Sequence, residues 1–107
     1  MAKFQKAPDE TLLGSGPMSI YQKQGLSKKP FQGKIYVTDQ RVCFHMDLTG
    51  TVLMELTIPE IKGFSVSSVL FVTRVTIHSR SGEEFPLTGF PAKKLQGWLE
   101  QAGVQRL

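Results

Sequence analysis

Two histidines, one cysteine, a serine between glycines and two adjacent glutamates are the residues of this chain whose types could carry chemistry. His45 and His78 could exchange protons near neutral pH or ligate a metal, but they lie far apart and on different predicted strands. Cys43 is the single cysteine, so neither an intrachain disulfide nor a cysteine-based zinc cluster can form. No Cys-x-x-Cys or His-x-Glu spacing occurs, and nothing near Cys43 in sequence would activate a thiolate. Ser15, in Gly14-Ser15-Gly16, lacks the strand-elbow-helix context of a hydrolase nucleophile. Glu83 and Glu84 are neighbours on a predicted strand, so they point to opposite faces and cannot work as a paired acid and base. No glycine-rich phosphate loop is present. The chain is expected to be non-catalytic, with no metal and no cofactor.

Charge and apolar surface are then the features left to carry a function. The 107 residues have a net charge of +4, and all of the excess lies in residues 1–34. There Lys3, Lys6, Lys23, Lys28, Lys29 and Lys34 oppose only Asp9 and Glu10. The cluster over 23–34 reads as a basic loop before the strand that Gly33 opens. Such a loop attracts anionic lipid, nucleic acid or an acidic partner, or else is a solvated lysine-rich loop that aids solubility. Nucleic acid is the weakest of these, because only Phe31 and Tyr36 flank the lysines as stacking surfaces. The second feature is Val69-Leu70-Phe71-Val72. Val69, Phe71, Val75 and Ile77 alternate onto a core face, which leaves Leu70 and Val72 outward, either as a contact surface or covered by the chain's own helix or N-terminus.

The positioning elements follow from periodicity. Residues 1–9 read as a flexible lead-in, and 10–107 as one domain with one core. The stretch Glu10–Leu13 is an entry segment or short helical turn, and Gly14-Ser15-Gly16-Pro17 is a turn cluster. Strands are expected at about 17–24, 33–38, 41–47 and 52–58, each with apolar and polar residues in alternation. Asp39-Gln40 leaves room only for a hairpin turn, and Pro59 forces a corner. Phe64 and Val66 open a fifth strand, Ser67-Ser68 turn it, and 69–79 and 83–87 complete seven. His45, His78 and Cys43 fall on the outward side of their strands. From Pro91 the period changes. Leu95, Trp98, Leu99 and Ala102 define one face of a helix over about 91–103, with Trp98 as the largest plug of the interior. No apolar run reaches the roughly 20 residues of a membrane span, and Met1–Lys6 lacks an apolar signal core, so a cytoplasmic location is expected.

Three segments resemble GRAM domains, a branch of the pleckstrin-homology (PH) superfold. They are Gly33-x-x-Tyr36-Val37-Thr38 with Val42-Cys43-Phe44, then Leu56–Ile61 with Phe64-Ser65-Val66, then Phe85–Phe90 leading into the helix. The resemblance implies a PH-like partial barrel of about seven antiparallel strands capped by a C-terminal helix. It also implies a binding module. Many PH domains hold inositol phosphates between their first two strands with a lysine on the first and a basic-x-Arg pattern on the second. Lys23 and Lys34 match in part, but Tyr36 stands where the arginine belongs, with Arg41 on the next strand as a substitute. Lysine lacks the bidentate fork of arginine, so the headgroup match is incomplete. Two functions result. One is a protein-interaction or self-association module using Leu70 and Val72, with an unknown protein or a homo-oligomer as partner. The alternative is peripheral binding of acidic membrane lipid through Lys23, Lys28, Lys29, Lys34 and Arg41.

Overall fold

The computed structural model describes residues 4–24 and 26–107, the side chains of Lys23, Gln24 and Val69 excepted. Seven strands form one antiparallel sheet. They are β1 (Leu12–Gln24), β2 (Ser27–Thr38), β3 (Arg41–Met46), β4 (Val52–Thr57), β5 (Ile61–Val69), β6 (Val72–Ser79) and β7 (Glu84–Thr88). A single 3-10 turn at Ile58–Glu60 makes the Pro59 corner, and the helix α1 spans Ala92–Gln101. The strand order is β4-β3-β2-β1-β7-β6-β5, so the sheet curls on itself as a partial barrel. Alternate residues of every strand turn inward. Ile20, Ile35, Val37, Val42, Phe44, Phe64, Val75, Ile77 and Leu87 are fully buried, and Leu95 and Leu99 of α1 close the interior. The C-terminal residues cover part of the β5 edge, with Phe64 N donating to Gln105 O (3.0 Å) and Leu107 N to Phe64 O (2.7 Å).

Several local expectations change. The glycine-proline cluster at 14–17 is strand, because β1 continues through it and pairs with β2 as far as Leu12. The reason is non-local: the Trp98 ring lies against the main chain of Gly14, where a Cβ would collide with it. Trp98 is therefore half-buried on β1 rather than the interior plug, and Leu95 and Leu99 take that role. The stretch 27–32 is also strand rather than loop. Pro30 fits there because β3 pairs only with residues 33–37, leaving that part of β2 a free edge.

The hairpin expected at Ser67-Ser68 forms at Leu70-Phe71, since Val69 pairs with Val72. Phe71 consequently leaves the core and is fully exposed. The lead-in residues Phe4–Glu10 run over the outer face of β2 and β3. The Phe4 ring stacks on Tyr36 at 4.3 Å between centroids, and Thr11 N donates to the Asp39 carboxylate. Cys43, expected outward, is buried under this cover. His45 is half-buried there, and His78, on β6, is half-buried as well.

Candidate functional site

The expected basic residues divide into three places. Lys23 pairs with Lys28 and Gln22 with Lys29 near the end of the β1–β2 hairpin, which extends past the β1–β7 pairs at Ser19 and Ile20 as a two-stranded arm. The side chain of Lys23 lies outside the described residues. Lys28 and Lys29 are exposed and alternate onto opposite faces of the arm, and Leu26 beside them is fully exposed. Gln22 ties the arm to β4, donating from Nε2 to Leu53 O at 3.0 Å. Lys34 sits six residues further along β2 opposite Pro17, about 20 Å from Lys28 at the rise of an extended strand. It does not join the arm cluster.

Arg41 is at the other end of β2 and is already neutralised. Its guanidinium donates to Glu10 at 2.8 and 3.2 Å, to Glu55 at 3.1 Å and to Gln5 O at 2.7 Å, and it lies 4.9 Å over the Phe4 ring. Glu10 also accepts from Thr38 Oγ1 at 2.6 Å and is 2% exposed. Hydrogen bonding from Arg41, with help from Thr38 and Ala7 N, outweighs burial and lowers the Glu10 carboxyl to about 2. Sequence reasoning missed Glu10 altogether. Its partner is 31 positions away, and the pairing of β1 with β2, which sets Leu12 opposite Thr38, brings the two together.

The nucleophile candidates are inert. Burial pushes the Cys43 thiol up to about 12, against a smaller opposing pull from Arg41. Burial also lowers the His45 imidazole, and its Nδ1 is buried without a hydrogen-bond partner. Ser65 Oγ and His78 Nε2 are 2.8 Å apart, with Glu84 3.9 Å from His78 Nδ1. This resembles a triad in composition only. Ser65 stands in a regular ladder opposite Thr76, without the sharp turn that presents a nucleophile beside free main-chain N–H donors. Among the described residues there is no cluster of metal-ligating side chains.

The apolar candidates come together with two residues that the sequence did not single out as contact residues. Leu70 is 90% exposed and Phe71 103%, at the tip between β5 and β6, and Val72 is exposed beside them. Phe90, in the turn from β7 to α1, is 103% exposed. Phe71, Val72 and Phe90 flank a groove of about 510 Å³ whose other walls are Thr73, Thr88, Gly89, Ala92 and Lys93. That size lies within the range of ordinary small-ligand and peptide sites. A signal for this surface was present in the sequence. Four consecutive apolar residues cannot all be buried by a strand with one core face, so some must stand outside.

Leu70 carries a further mark. Its φ of 57° is the only positive value among the non-glycine residues described. It is the first of two turn residues, a position that favours glycine.

No family model and no curated relative matches the chain. Solved structures do. The Ran-binding domain of the nuclear complex component Nup2 from Ashbya gossypii aligns over 88% of this chain and 95% of that one, with a TM-score of 0.68 and 13% identity. The human PH domain of pleckstrin homology domain-containing protein family A member 5 covers 98% of this chain and 88% of its own, with a TM-score of 0.59 and 12% identity. The Slm1-PH domain, solved in complex with inositol-4-phosphate, covers 86% and 93%, with a TM-score of 0.58 and 12% identity. Seven antiparallel strands in one curled sheet, closed by a single C-terminal helix and shared with these structures, give the chain the PH-like fold.

Proposed function

We propose that this chain is a non-catalytic binding module of the GRAM branch, and that it docks a partner protein on the surface around Leu70, Phe71, Val72 and Phe90. The branch is supported by the Gly33–Phe44 hairpin, the Ile58–Glu60 corner and the Gly89-Phe90 entry to the helix. The single observation that carries the docking reading is Leu70. A leucine in the left-handed region costs about 1–2 kcal/mol, and this one gains nothing back by burial. A residue that serves neither the turn nor the core has its whole side chain available for contact with a partner. The Ran-binding domain among the structural neighbours is a protein-binding unit on this scaffold by its name.

The test uses Leu70→Gly and Phe71→Ser. Leu70→Gly is expected to raise stability by about 0.5–1 kcal/mol, because glycine fits the turn and no core contact is lost. The combined variant is expected to lose the proteins that the wild type retains in a comparative capture. A drop in melting temperature on Leu70→Gly, or identical captured sets, would defeat the reading.

A second reading has its own observation. Lys28 and Lys29 stand exposed on the two faces of the arm with the exposed Leu26 near its tip, so an arm that meets an acidic membrane surface tip-first at a cytoplasmic face brings all three to it. The cleft beside the arm weakens the case for a specific phosphate pocket, since Glu83 and Glu84 line it opposite Lys28. Cosedimentation with phosphatidylcholine–phosphatidylserine vesicles is expected to be reversible by salt. It should fall about 30-fold on replacing both lysines with glutamine, at on the order of 1 kcal/mol each. Binding that resists both salt and these changes would rule the arm out.

A further inference from the structure

We infer that the occupant of the groove between Phe71 and Phe90 is an acidic amphipathic helix of a partner protein, an inference that rests on the docking reading above. Three observations select it. The first is the backbone. The walls are formed by β6 and by the end of β7, and both strands are interior to the sheet order β1-β7-β6-β5. β6 and β7 pair with each other from Arg74 to His78, and Val72 and Thr73 pair with β5 alone, so the only unpaired stretch facing the groove is two residues long, too short a ladder for an added strand. The occupant must be held by side chains entering from above, which is how a helix uses residues at i and i+3 or i+4.

The second observation is charge. Lys93 lines the groove and Lys94 follows it on the exposed side of α1, while Arg74, next to Thr73 in β6, lies outside the lining with its guanidinium 5.1 Å over the Tyr21 ring. No carboxylate is among the groove's lining residues, and none of these three cations is in an ion pair among the described residues. An acidic segment is complementary to such a rim and a basic one is repelled. The third concerns the competing occupant, a second copy. A two-fold contact through this surface would set the Lys93 and Lys94 side of one protomer against the same side of the other. Like charges would then meet where an acidic helix finds attraction.

The probe is a display library of short random peptides, selected on the intact protein. Affinities of recovered peptides are measured by fluorescence anisotropy on the wild type and on variants. Recovered sequences are expected to be rich in Asp and Glu, with apolar residues at i and i+3 or i+4. Their binding is expected to fall at least about tenfold on Phe71→Ser with Phe90→Ser, as for removal of central apolar anchors. It should fall about three- to tenfold on Lys93→Glu with Lys94→Glu, and stay unchanged on Lys62→Gln, an exposed lysine at the far end of β5. All of these positions are exposed, so unchanged thermal unfolding is the check that the variants fold. Peptides that need Phe71 and Phe90 but are neutral or basic, or that ignore reversal of Lys93 and Lys94, would overturn the acidic helix and leave the docking surface standing. Peptides indifferent to Phe71 and Phe90, or no recovered peptide at all, would overturn both.

Discussion

Glu10→Ala will destabilise the domain by about 2–3 kcal/mol, the cost of losing the charge-assisted hydrogen bonds that meet on its buried carboxylate. Glu10 is 2% exposed and is the meeting point of Arg41, Thr38 Oγ1 and Ala7 N. Removing it leaves the guanidinium with Glu55 and Gln5 O alone and loosens the segment Phe4–Glu10, whose Phe4 ring rests on Tyr36 and His45. A small domain has roughly 5–15 kcal/mol in total, so the midpoint of urea unfolding should drop by a large fraction. Arg41→Ala should cost less than a full additional increment in the Glu10→Ala background, because the two share one interaction.

The pH profile carries the same signature. The folded Glu10 carboxyl is depressed to about 2 from an ordinary 4.5, so its contribution is complete above 4.5 and is lost as pH falls toward 2. His45 acts in the same direction. Its folded value is lowered from 6.5 by burial, so acidification below 6.5 favours the unfolded chain, which binds the proton first. Wild type should therefore weaken progressively on acidification, and Glu10→Ala should show only the shallow upper part of that loss. An acid limb of equal depth in both proteins would show that Glu10 is not the group responsible.

How much of this was legible depended on how local each cause is. Strands β3 and β4 and the inner half of β2 were readable because alternation is a property of neighbours. Val42 and Phe44 must face the side opposite to Cys43 whatever the rest of the chain does. The helix was readable from Leu95 and Leu99 for the same reason. The failures have distant causes. Gly14-Ser15-Gly16-Pro17 carries turn chemistry, but the helix that returns as Trp98 needs a bare backbone to rest on, and the strand supplies it. Lys28-Lys29-Pro30 reads as a loop until β3 proves too short to reach it, which makes proline harmless. Leu70-Phe71 contains no turn residue at all. The hairpin is set by the register of Ile61–Val69 on Val72–Ser79, which places Leu70 at a tip position that favours glycine. The candidate docking surface was half legible: Leu70 and Val72 stood out as apolar excess, whereas Phe90 joins them only through the fold.

Gly33→Ala will destabilise the domain by about 3 kcal/mol, the upper range for a core position forced to take extra volume. Gly33 looks in sequence like the hinge by which a loop enters a strand. In the fold it is in the middle of β2, opposite Met46 of β3 and Met18 of β1. A methyl group there would run into the carbonyl oxygen of His45 and come within 2.8 Å of the Phe44 ring edge. The obstacle is main chain, so no rotamer change relieves it. Beside it, between Phe44 and His45, the β3–β4 ladder slips register by one extra residue on β4. The close approach of two backbones is therefore the reason for glycine in this hairpin, rather than freedom of φ. Gly97→Ala is the matched control. Nothing lies within 4 Å of the added methyl, and a glycine inside α1 should be improved by alanine by about 1 kcal/mol. The two glycine-to-alanine changes are thus expected to shift the melting temperature in opposite directions. A Gly33→Ala protein as stable as wild type would mean that β2 and β3 are not as close as this packing requires.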